Sequence, residues 1–153
     1  NNKSNILTLV FGQKTTIYKI MNISISYSEI LNFVEKKFKV RPLLQKKTAS
    51  TLTISYKPTA LLPAMSVDIA VDGIDDDVVM LSYDCSKAIS LVVSGVVTYL
   101  EEKMPAAVDV NTAARTIKLN LGKIDKLEAV LEYMALTDIA FAENEVVAKI
   151  QLL

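Results

Sequence analysis

Residues 51–83 read TLTISYKPTALLPAMSVDIAVDGIDDDVVMLSY, and their alternation decides the fold class. Leu52, Ile54 and Tyr56 alternate with Thr51, Thr53 and Ser55. Met65, Val67, Ile69 and Val71 alternate with Ser66, Asp68, Ala70 and Asp72, and Val79, Leu81 and Tyr83 with Val78, Met80 and Ser82. A period of two with one apolar face is the pattern of a half-buried antiparallel strand. Pro58 and Pro63 bracket the first connection, and Gly73 with Asp75, Asp76 and Asp77 marks the turn in the second. The third strand departs from the rule, because its outward positions include Val78 and Met80. Either another element covers that face, or it is an apolar interaction or ligand surface.

Upstream, Ser26 and Glu29 fit a capping box, in which the serine hydroxyl and the glutamate satisfy free N–H groups at a helix start. Ile25 and Ile30 stand where a hydrophobic staple would. Tyr27, Leu31, Val34 and Phe38 then recur at helical spacing and predict one buried stripe. Lys36, Lys37 and Lys39 suit the negative end of the helix dipole, and Pro42 forbids continuation.

Downstream, residues 87–103 predict a long helix capped by Ser86 or Asp84. Its apolar residues, from Ala88 to Leu100, lie almost all round, which predicts burial on most sides. Its β-branched density and Gly95 leave a strand over 89–93 as an alternative, and Pro105 ends the element. Val108 and Val110, then Ile117, Leu119 and Leu121, read as a hairpin around 111–114. A helix over 123–134 follows, with Ile124, Leu127, Leu131 and Met134 as its stripe. Two strands close the chain, Ile139 with Phe141 and then Val146 to Leu152.

The whole predicts a single α+β domain over 1–153, with a mostly antiparallel, curved sheet packed on one face by about three helices. The layout is similar to sheet-wraps-helix domains that hold lipids. That similarity of architecture implies an apolar cavity between sheet and helix, and it implies no function by itself. Residues 1–20 differ in character. They read as two short strands, 6–10 and 15–20, around Gly12, and they form either a peripheral part of the domain or a non-native extension ahead of Met21.

Composition narrows the function more than any motif does. The chain of 153 residues has no histidine, which removes His-based nucleophilic triads, His acid–base catalysis and His-ligated zinc. The single cysteine, Cys85, removes internal disulfides, CxxC redox chemistry and thiolate zinc clusters. It sits near a helix start, where a thiolate is stabilised, but Asp84 beside it opposes a second negative charge. One cysteine suits a reducing compartment and slightly favours the cytoplasm, with a removed leader left open by the first residue, Asn1. The longest apolar run, Ala88 to Leu100, is 13 residues, short of the roughly 20 needed for a membrane span. The 17 basic and 17 acidic residues cancel, which gives no reason to expect nucleic acid. They are unevenly placed, with ten Lys/Arg against two Glu before residue 61, and seven against fifteen Asp/Glu after it.

The remaining constellations are weak. Asp72, Asp75, Asp76 and Asp77 form an acidic turn, but their spacing fits no EF-hand loop, so no metal site is assigned beyond these weak candidates. Tyr83 with Lys87, and Tyr99 with Lys103, resemble the Tyr-x-x-x-Lys pair of short-chain dehydrogenases. The four glycines are isolated, so no dinucleotide fingerprint accompanies the pairs and no cofactor is expected. Lys36, Lys37, Lys39, Arg41, Lys46 and Lys47 form the densest basic cluster and read as a solvated face. The expectation is a non-catalytic domain that binds itself or another protein. A carrier of an apolar small molecule or lipid is the alternative, and a carboxylate-based enzyme the third reading.

Overall fold

The computed structural model describes residues 20–153. The strands expected over 6–10 and 15–20, and the supposed extension, lie outside the described residues, except that Ile20 opens the first strand. The elements are β1 (Ile20–Ser26), α1 (Tyr27–Phe38), β2 (Leu43–Thr48), β3 (Thr51–Tyr56), β4 (Met65–Asp75), β5 (Val78–Asp84) and α2 (Lys87–Leu100). After them come β6 (Val108–Asn111), β7 (Thr116–Asn120), α3 (Asp125–Leu131), β8 (Met134–Phe141) and β9 (Glu145–Leu152). Short 3-10 turns at Glu101–Lys103 and Leu121–Lys123 follow α2 and precede α3.

Among the described residues the fold is α+β, and every strand pairing is antiparallel. The strands divide into two sheets where one was expected, a three-stranded sheet β1-β9-β8 and a six-stranded sheet β2-β3-β4-β5-β7-β6. Each has one apolar face set by register. In the larger sheet, Leu52 stands opposite Ile69 and Ile69 opposite Tyr83, while Leu81 stands opposite Ile117 and Val79 opposite Leu119. The other face carries Thr53, Asp68, Asp84, Lys118 and Asn120. A bulge between Val71 and Gly73 adds one residue to β4, so that Ile74 returns to the apolar face opposite Val79. In the smaller sheet Met21, Ile23 and Ile25 pair with Ile150, Ala148 and Val146, which pair in turn with Leu136, Ile139 and Phe141.

The sheets meet at one end. Tyr27, Leu52 and Phe141 are buried together, with Ile30, Leu44, Ile54, Val71 and Val146 packed around them. Backbone bonds fasten the same place, since Phe141 N–H donates to Ala49 O (2.7 Å) and Tyr27 N–H to Asn144 O (2.9 Å). The Tyr27 hydroxyl donates to the Ala142 carbonyl.

The helices form where their caps stand. Ser26 Oγ accepts from Glu29 N–H (3.1 Å), and α1 closes through Lys39, whose left-handed backbone (φ 62°) returns its N–H to Glu35 O. Ser86 Oγ accepts from Ile89 N–H (3.2 Å), and α2 is helical throughout, so the alternative strand over 89–93 is not formed. The third helix stops at Leu131, short of the expected Met134. From there pairing of Met134 with Leu152, and the bond from Leu153 N–H to Tyr133 O (2.9 Å), take the backbone into β8.

Candidate functional site

The expected apolar surface at Val78 and Met80 is half-buried. Both side chains stand on the polar face of β5, opposite Asn120 and Lys118, and a β-carbon at Gly73 would lie 3.5 Å from Met80 Cε. That is ordinary contact distance, so Met80 lies beside the bulge glycine with part of its side chain still accessible.

Several exposed apolar side chains are gathered on α2. The expectation of burial on most sides fails there, because no residue of this helix is buried. Its half-buried side is Ile89, Ser90, Val93, Ser94, Val97 and Leu100, and the helix lies near β4. The opposite stripe holds Leu91 (72% exposed), Val92 (46%), Val96 (49%) and Tyr99 (74%). Ala88 and Gly95 complete it at helical spacing, and a β-carbon on Gly95 would meet nothing within 4 Å. No charged residue interrupts the helix between Lys87 and Glu101.

A second apolar feature lies where α2 ends. The first turn of α1 packs on the core with Tyr27 and Ile30, and Leu31 and Val34 are half-buried, but the stripe overruns the core, and Phe38 is 53% exposed where burial was expected. Phe38, Phe33 and Lys37 form one wall of a cleft of about 530 Å³, and Leu100, Met104 and Pro105 form the other. The Lys37 ammonium stands 5.9 Å from the centroid of the Phe33 ring, within cation–π range. The architecture implied a cavity between sheet and helix, whereas this cleft lies between α1 and the end of α2.

The polar candidates are mostly engaged locally. Asp72 accepts from Ser82 Oγ (3.0 Å), and Asp76 occupies the tip of the β4–β5 turn with a left-handed backbone (φ 52°). Asp77 bonds the chain after β7 through its carbonyl, which accepts from Leu121 N–H (2.8 Å). Among the described residues no three acidic or cysteine side chains stand close enough to hold a metal ion. Cys85 is half-buried, and its carbonyl accepts from Arg115 (3.1 Å). The Tyr83 hydroxyl is buried without a hydrogen-bond partner, so it makes no bond to Lys87.

The basic cluster splits. Arg41 bonds Asn32 (3.0 Å) and faces Glu35 (3.6 Å) at the end of α1, while Lys47 pairs with Asp68 across the larger sheet (2.5 Å). Lys46 stands on the opposite face of β2 from Lys47. The hydrogen bond from Lys47 and a second from Thr53 Oγ1 (2.7 Å) hold the Asp68 carboxyl below its ordinary range. The same pair raises Lys47. Burial, and then the charge of Glu143, push the Tyr27 phenol above its ordinary value.

Among the described residues no helix is long and apolar enough to cross a membrane. Comparison with known proteins found no matching family model, no similar curated protein and no similar solved structure.

Proposed function

We propose that this chain is a non-catalytic, self-associating domain whose copies meet along the outer stripe of α2. The carrying observation is the uncharged row Leu91, Val92, Val96 and Tyr99, turned to water over successive turns of one helix. Exposed apolar surface gathered in one place is characteristic of an interaction site, whereas single exposed apolar residues are ordinary.

The helix itself suits a second copy of the chain. Gly95 is midway between Leu91 and Tyr99, so a two-fold axis beside it sets Leu91 of one copy against Tyr99 of the other. The helices then run antiparallel. Lys87 at the start of one falls within a turn of Glu101 and Glu102 at the end of the other, and the helix dipoles oppose. The missing side chain at Gly95 allows the two backbones close approach at the centre.

Sedimentation velocity from low micromolar to about millimolar protein tests this. The expected result is a monomer–dimer equilibrium that Leu91→Ser with Val96→Ser shifts to monomer, with the circular dichroism spectrum unchanged. A chain that stays monomeric throughout, or a dimer indifferent to both substitutions, overturns the reading.

A further inference from the structure

The cleft between α1 and the end of α2 calls for a different occupant. Its walls are Phe33 and Phe38 on one side and Leu100, Met104 and Pro105 on the other, and Lys37 is the charged residue described on its lining. Its volume of about 530 Å³ is within the roughly 300–1,000 Å³ of small-molecule sites. Such sites are mostly apolar, with a few polar groups that fix orientation, and this lining has that character.

We propose that this cleft binds an amphipathic carboxylate, an alkyl chain of medium length carrying one anionic head. The chain lies between the phenyl rings and the Leu100–Met104–Pro105 wall, and the head meets the Lys37 ammonium. Two observations select this chemistry. An apolar lining disfavours a polar body, because buried polar groups need partners that these side chains do not supply. The lysine stands over the Phe33 face, so its charge is held at the wall, where a carboxylate head is attracted and an ammonium head repelled. The inference is independent of self-association, since the α2 stripe runs outside the cleft and shares none of its lining residues.

The test uses the full chain and three water-soluble probes of equal tail, namely octanoate, octanol and octylammonium, each below its micelle concentration. Binding is followed by calorimetry and by the methyl resonance of Met104. Octanoate is expected to bind saturably at one site, to shift the Met104 methyl, and to bind more tightly than the other two. Lys37→Met is expected to weaken octanoate about two- to fivefold, the worth of one exposed ion pair, and to leave octanol unchanged. Phe38→Ser is expected to weaken both. Lys37 and Phe38 are exposed, so neither change opens the core.

Equal binding of octanoate and octylammonium would refute the part assigned to Lys37. Octanoate binding without a shift at Met104 would place it elsewhere. No saturable binding of octanoate, or a dimer that Phe38→Ser dissociates, would mean that the cleft holds no carboxylate or is filled by a second copy, and either result overturns the proposal.

Discussion

Replacing Gly95 by glutamate should make the folded chain more stable and at the same time abolish its association. Gly95 is in the interior of α2, where glycine is the poorest ordinary helix former. Glutamate improves on it by roughly 0.5–0.8 kcal/mol. The new side chain meets no obstacle, since the space around a β-carbon there is open to 4 Å. For a domain of this size each kcal/mol moves the midpoint by about 2–4 °C, so Tm should rise by about 1–3 °C. Association responds in the opposite direction. The two-fold axis runs beside Gly95, so each copy would bring a carboxylate into an apolar contact, at a desolvation cost of several kcal/mol per ion. Gly95→Ala is the control, because it gives the helix-propensity gain without a charge and should weaken the dimer far less than glutamate does. Thermal melts at low micromolar protein, where the chain is monomeric, read the first effect, and sedimentation velocity reads the second. A fall in Tm would mean that the outer side of α2 is packed against something. A raised Tm with an intact dimer in Gly95→Glu would mean that copies do not meet at this helix.

Three further outcomes follow from contacts within one copy. Tyr27→Phe removes the hydroxyl bond to Ala142 O and should cost about 0.5–1.5 kcal/mol in urea unfolding. The native Tyr27 phenol has its pKa raised, so its contribution is whole below the unfolded value near 10 and is lost as pH climbs through the folded value. The variant should therefore flatten the alkaline limb of stability. Asp68 has the reverse sign, since its carboxyl is depressed by Lys47 and Thr53, and its contribution is present above the ordinary value of 3.8 and lost as pH falls through the depressed one. A carboxyl-carbon NMR titration should place Asp68 below its ordinary value of 3.8, and Lys47→Met should move it back up. Ser26→Ala and Ser86→Ala each delete a helix cap bond and should each lower stability by about 1 kcal/mol, read as a lower urea midpoint at constant m-value.

The parts of the fold written in local pattern were legible in the sequence. The alternation in 51–83 became β3, β4 and β5, and the serines at 26 and 86 cap the helices they were expected to cap. What was hidden depends on partners distant in the chain. β2 has only Leu43 and Leu44 before Gln45, Lys46 and Lys47, and it is a strand because β3 pairs with it. β8 begins early because β9 reaches back to Met134. One miss was avoidable, because Met21, Ile23 and Ile25 alternate with Asn22, Ser24 and Ser26, and that is β1. The apolar stripe of α2 was hidden for a related reason. Val78 and Met80 break a strand pattern and are half-buried on the polar face of β5, Met80 beside the bulge at Gly73. An all-round apolar helix reads as buried, and the sequence cannot say which side the domain itself will leave uncovered.

The stripe also limits how strong the association can be. Full burial of a Val or Leu side chain is worth roughly 1.5–3 kcal/mol. Scaled by the area still exposed, Leu91, Val92 and Val96 together offer about 2.5–5 kcal/mol per copy, and the Tyr99 ring adds to it. Against the gain from both copies stands an association cost of about 4–15 kcal/mol. The balance is small, and a dissociation constant of about 1 mM already corresponds to −4.1 kcal/mol. The helix pair alone should therefore give a weak dimer, with a sedimentation coefficient that climbs with concentration and reaches no plateau in the low micromolar range. Stable complexes usually bury about 800 Å² on each partner, more than one face of a 14-residue helix presents. A dimer of nanomolar strength would thus be evidence against α2 as the whole interface, and it would require the copies to share further apolar surface, such as the exposed part of Ile23 and Ile25 on the apolar face of the smaller sheet.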